Sequence, residues 1–207
     1  MVLEPAPECP IDLRGIAERR RWLLSLARPG GVGAEFGVFG GHFAEVIASE
    51  LNPLKLFLVD PWTTSGERFG WGPDPYTNLD ALTTAQALFD TRCRMAQYES
   101  NCEIVYIEDT LENFARNFAV YSDRKLDFAY LDTSHTYQGT LRELRILAEI
   151  VSPDGVILGD DWHHEVDHRH HGVMRAVNEF LKSSDFPLVL AGQDDQFCLR
   201  RTPEYRS

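Results

Sequence analysis

Cysteine is scarce. Cys9, Cys93, Cys102 and Cys198 are the four in 207 residues, and no two stand at the CxxC spacing of a metal site. Cys102 and Cys198 fall at or within predicted strands, where a buried free thiol is expected. Positive charge is also in deficit: 20 Lys and Arg face 32 Asp and Glu, a net charge of −12. A surface that tracks nucleic acid needs clustered Lys and Arg, so a nucleic-acid partner is not expected. No apolar run approaches the roughly 20 residues of a membrane span. The first residues carry acid and proline in place of a basic-then-apolar leader. These absences point to a reduced, cytoplasmic protein without a membrane partner.

What remains is an ordinary globular composition, 43% hydrophobic and 25% charged, of a size for one domain. Residues 1–10, with three prolines, read as an irregular lead-in, and 11–207 as one domain. Leu13, Ile16, Trp22, Leu23, Leu24 and Leu26 recur with helical spacing over 11–27, and Pro29-Gly30-Gly31 stops that helix. Short apolar runs then alternate with helical segments. Strands are predicted over 33–39, 55–59, 103–107, 128–131, 156–159, 188–191 and 197–200. Helices are predicted over 43–51, 111–118, 137–151 and 173–182, and Pro153-Asp154-Gly155 reads as a turn. This rhythm implies a doubly wound α/β fold: a mostly parallel, seven-stranded sheet with a C-terminal antiparallel hairpin. The stretch 62–98 breaks the rhythm, first with a Gly, Pro and Thr-rich part carrying Phe69, Trp71 and Tyr76, then with a helical part. An aromatic insertion after a strand's C-terminal end sits where such sheets bind ligands, and a substrate lid is expected there.

Ala34-Glu35-Phe36-Gly37-Val38-Phe39-Gly40-Gly41-His42 joins the first strand to its helix. Glycines let the backbone turn and approach a ligand closely, and the helix N-terminus beyond offers free N–H groups to a carboxylate. The glycines do not fit GxGxxG. They resemble motif I of the class I methyltransferases, an acid, a Gly two later and Gly-Gly near the helix. That resemblance implies S-adenosylmethionine held by Glu35, Gly37, Val38, Gly41 and His42, with Glu35 toward its amino-acid end. Asp60 closes the second strand about 20 positions on, where an acid can accept ribose hydroxyls. Asp109 follows the third strand. The resemblance places it against the adenine, while its local setting equally suits the N-cap of the next helix.

Asp132 ends the fourth strand and Asp160-Asp161 the fifth. Parallel neighbours bring these ends together, and three carboxylates so placed repel unless protonated or neutralised. Hard oxygens with open positions suit Mg²⁺. Asp132-Thr133-Ser134-His135-Thr136-Tyr137, Gly155-Val156-Ile157 and Asp160-Asp161 resemble the divalent-metal-dependent O-methyltransferases of the macrocin (macrolide-sugar) type. The resemblance runs from about residue 11 to 181. It implies Asp132, Asp160 and Asp161 as metal ligands and His135 as the base that deprotonates an acceptor hydroxyl.

The segment 162–171 carries five of the seven histidines, His163, His164, His168, His170 and His171. It is read as a solvated loop facing the substrate, with His163 or His164 nearest Asp161. The expected activity is Mg-assisted methyl transfer to a hydroxyl of a small molecule, a sugar or secondary metabolite, by a chain that on family grounds can be a homo-oligomer. The alternatives are a metal-independent methyltransferase of the same fold, a nucleotide-cofactor oxidoreductase, and a non-catalytic binding module.

Overall fold

The computed structural model describes residues 9–201; all but two residues of the expected lead-in lie outside them. Helix α1 (Leu13–Arg20) begins where Asp12 accepts the Gly15 N–H at 2.8 Å. The expected helix over 11–27 tightens after Arg20 into a 3₁₀ segment, Arg21–Leu26, which buries Leu23 and Leu24. Strand β1 (Val32–Phe36) follows, then α2 (His42–Leu51) and β2 (Lys55–Val59). After the 62–98 insertion with α3 (Thr84–Met95) come β3 (Glu103–Ile107), α4 (Leu111–Arg116), α5 (Phe118–Tyr121) and β4 (Leu126–Leu131). The chain closes with α6 (Tyr137–Ile150), β5 (Val151–Gly159), α7 (His171–Ser183), β6 (Leu188–Ala191) and β7 (Phe197–Arg200).

The strand order is β3-β2-β1-β4-β5-β7-β6. β1 to β5 are mutually parallel, while β7 runs antiparallel to both β5 and β6. Alternate strand residues enter opposite layers, as a sheet covered on both faces requires. Leu56, Leu58, Phe128, Tyr130, Val156 and Leu158 pack toward α2 and the N-terminal segment. Ala34, Phe36, Phe57, Val59, Ala129 and Ile157 pack toward α4, α6 and α7.

Three local differences from the sequence expectations have physical causes. β1 stops at Phe36, not 39, because Gly37 takes a left-handed φ of 84°. The helix expected over 111–118 breaks at Asn117, whose backbone leaves the helical region. The turn expected at Pro153-Asp154-Gly155 is an irregularity inside β5, where the register against β4 shifts between Leu126 and Phe128. Cys102 and Cys198 are buried free thiols, as expected.

The crossing at Gly37 fixes the sheet's ligand edge. A Cβ there would lie 1.8 Å from the Asp132 carbonyl oxygen, so β1 and β4 can diverge only around glycine. Gly37→Ala is therefore expected to cost more than about 1 kcal/mol, read as a lower urea midpoint at unchanged slope.

Candidate active site

The loop after β1 is a run of unusual backbone. Gly37, Phe39 and Gly41 all have positive φ, as do Trp62 after β2 and Asp161 after β5. For a non-glycine residue this conformation is uncommon and must be held by its surroundings. Here the holder is Asp60. Its Oδ2 accepts the N–H groups of Val38 and Phe39, each at 3.0 Å, and its Oδ1 accepts that of Trp62 at 2.9 Å. The carboxylate read as a ribose acceptor thus spends three of its roughly four lone-pair positions on the loop. Burial pushes its pKa up, against the pull of those three bonds.

The 62–98 segment packs onto the same loop. The Trp62 indole and Thr91 hydroxyl donate to the Phe39 carbonyl, at 2.9 and 3.2 Å, and Arg94 donates to that of Gly40 at 3.0 Å. Phe69 stacks on Trp71 with centroids 4.6 Å apart, and both rings approach Phe39. Trp71 remains 59% exposed, so the aromatic wall has one face to solvent.

Glu35 lies at the floor of the loop. It is 1% exposed, and its Oε2 has no hydrogen-bond partner. Burial, with Asp132 and Asp60 close by, drives its pKa well up; Arg20 pulls the other way. His42 opens α2 beside Gly41, and burial together with Arg94 and Arg14 lowers its pKa to about 4. Asp109 is not the cap of α4. Thr110 is, accepting the Asn113 N–H, while Asp109 accepts from Thr110 N–H at 2.8 Å and the Asn113 side chain at 2.7 Å.

The three strand-end acids do converge: one oxygen each of Asp132, Asp160 and Asp161 lies within 4.8 Å of the others. Arg20, a residue the sequence reading passed over, stands among them. Its Nη1 is 3.1 Å from Asp132 Oδ2 and 3.3 Å from the Tyr130 hydroxyl, and its Nη2 pairs with Asp160 Oδ2. The Gln196 amide donates to the other oxygen of Asp160 and accepts from Tyr130 at 3.0 Å. Burial and Asp132 push Asp160 up in pKa; Arg20 opposes them. Because Arg20 already spans two of the carboxylates, the arrangement does not fit a resident Mg²⁺, although the donor chemistry would suit one.

The third acid belongs to the histidines. His135 Nδ1 pairs with Asp161 Oδ2, and His170 Nδ1 lies 2.8 Å from Asp161 Oδ1 and 3.1 Å from His135 Nδ1. His163 also reaches Asp161, at 3.3 Å, whereas His164 turns away to accept from the Trp162 indole. Of the two histidines expected nearest Asp161, only His163 reaches it, and the nearest residue of that loop is one not singled out from the sequence, His170. Its only signal was membership of a histidine-rich run. His135 Nε2 stays clear of Asp161, 3.8 Å from Asp132 Oδ1, with the side chain 35% exposed. Burial lowers the pKa of His135, but the bond to Asp161 and the charges of Asp132, Asp161 and Asp160 outweigh it and raise it to about 9. Burial raises Asp161, yet His135 and His170 hold it well below the usual carboxylate range.

The family model described as a methyltransferase domain matches residues 34–162, well over half the chain. No curated protein matches. Among solved structures, an O-methyltransferase of Bacillus cereus in complex with S-adenosylhomocysteine is 13% identical, with a TM-score of 0.58, covering 95% of this chain and 84% of that one. An O-methyltransferase of Streptomyces achromogenes involved in tomaymycin synthesis, in complex with S-adenosylmethionine, is 15% identical at 0.56, covering 95% and 83%. An rRNA methylase of Streptococcus thermophilus is 12% identical at 0.55, covering 97% and 98%. At these identities the structures share the fold. Among the described residues, no helix is long and apolar enough to cross a membrane.

The His135–Asp161 pair sets a pH window for stability. A raised histidine contributes fully below its ordinary value of 6.5, and the contribution is lost as pH climbs through about 9. A depressed aspartate contributes above its ordinary 3.8 and loses that as the pH falls further. Urea unfolding should show stability declining between pH 6.5 and 9, and His135→Asn should flatten that decline.

Proposed function

Because the chain belongs to the methyltransferase-domain family, we propose that it transfers the methyl group of S-adenosylmethionine to a hydroxyl of a small molecule. The observation that carries this reading is Glu35, a fully buried carboxylate with an oxygen left without a partner, under a glycine loop. Such a group is costly unless something pairs with it, and the ammonium of the cofactor's methionine end is of the right charge. Gly37, Val38, Gly41 and His42 would line the cradle at the N-terminus of α2. Asp60 would offer a ribose hydroxyl its remaining acceptor position. Asp109, with one oxygen spent on Thr110 and Asn113, would face the adenine. Neighbouring O-methyltransferases bound to the cofactor or its product support the same reading.

When bound, the cofactor supplies an electrophilic methyl on a sulfonium. The chain's part is to ready an oxygen for it. Asp161 holds the Nδ1 side of His135, which leaves Nε2 as the atom that takes the acceptor's proton. With a pKa of about 9, His135 is mostly imidazolium at pH 7, and the base-competent fraction is about one part in a hundred. Net charge favours a small acceptor over nucleic acid; a sugar or other secondary metabolite in a cytoplasmic setting fits the family resemblance.

Calorimetry with S-adenosylhomocysteine tests the cofactor assignment. Glu35→Gln should bind about 10- to 100-fold more weakly than wild type, the worth of a hydrogen bond to a charged group. Binding of NAD in place of S-adenosylhomocysteine would overturn it. With an acceptor found by screening hydroxylated small molecules, kcat/KM should rise with pH to about 9. His135→Gln should lose that rise and about 10²-fold or more in rate.

A further inference from the structure

We propose that Arg20 is the built-in cation of this site, its guanidinium standing between Asp132 and Asp160 where a divalent ion would otherwise bind, so that the three strand-end acids work without a metal. The inference rests on the methyltransferase reading only where turnover is measured; its binding arms stand apart from it.

The space between the two carboxylates is already occupied. Mg²⁺ needs oxygens at about 2.0–2.1 Å in near-octahedral array. An ion that close to both Asp132 Oδ2 and Asp160 Oδ2 would meet the Arg20 nitrogens paired with those same atoms. Two cations cannot share that space. One of them must leave, and the carboxylates cannot serve both.

Arg20 is also held in place. It ends α1, with Ala17 buried one turn before it and Leu23 and Leu24 buried just after, at 3%, 0% and 2% exposure. The backbone is pinned on both sides, and the planar guanidinium fork is held at once by Asp132, Asp160 and the Tyr130 hydroxyl. Its neighbours in the run differ: Arg19 is exposed, and Arg21 pairs with Glu18 and Glu50 at the surface.

The carboxylate oxygens are already in use. Asp160 gives one to Arg20 and the other to the Gln196 amide. Asp161 gives one to His135 and the other to His170 and His163. Asp132 alone keeps an oxygen with no closer partner than His135 Nε2 at 3.8 Å. A single such oxygen does not make a site for a hard dication.

The experiment is a Mn²⁺ titration, following the loss of the free-ion electron paramagnetic resonance signal, in which only binding removed by Asp132→Asn is scored. Wild type should show none at micromolar to low millimolar ion. Arg20→Met should open the carboxylates and bind at least about tenfold more tightly, and Arg20→Met/Asp132→Asn should lose that gain. Methyl transfer by wild type should be unchanged by a chelator. Scored binding by wild type overturns the proposal, as does a folded Arg20→Met that gains nothing. Should Arg20→Met fail to fold, the wild-type titration and the chelator assay still decide. Binding of S-adenosylhomocysteine, measured alongside, separates a failure of this inference from a failure of the cofactor assignment.

Discussion

Five carboxylates end up at one edge of this sheet, and the molecule is organised around keeping them from repelling one another. Parallel strands bring their C-terminal ends side by side, so Glu35, Asp60, Asp132, Asp160 and Asp161 are neighbours by topology. Each meets that constraint in its own way. Asp60 spreads its charge over three backbone N–H groups. Asp132 and Asp160 share Arg20, and Asp161 takes histidines. Glu35 alone keeps a buried oxygen unmatched. An acid stays uncompensated inside a protein only at a cost, which makes that atom the natural place for a bound group to complete.

The compensation is also what shapes the loop. The left-handed residues Phe39 and Trp62 are held because Asp60 accepts from Val38, Phe39 and Trp62 together. The aromatic segment then closes over them through Trp62, Thr91 and Arg94. The 62–98 stretch therefore forms a wall tied to the loop backbone, with Trp71 as its exposed face.

Strands and acids were legible in the sequence for a plain reason. A short apolar run ending in Asp or Glu declares both a buried strand and a polar strand end, and Asp132, Asp160 and Asp161 all stand in that position. Arg20 was not legible. It sits in a run of three arginines, and only helix phase, one turn beyond Ala17, turns it inward. Tyr130 and Gln196 were hidden for a similar reason, since a buried polar pair looks from sequence like a strand aromatic and a turn amide. The direction of Asp60 was illegible too. It depends on the φ angles of Phe39 and Trp62, which no residue type announces.

Arg20 and Gln196 lie on either side of the span that carries the family signature, residues 34–162. The acids come from the span of the family signature, and the cation and the amide that hold Asp160 come from the flanks. A core of this kind transplanted onto different flanks would carry its charge problem with it and have to find another answer.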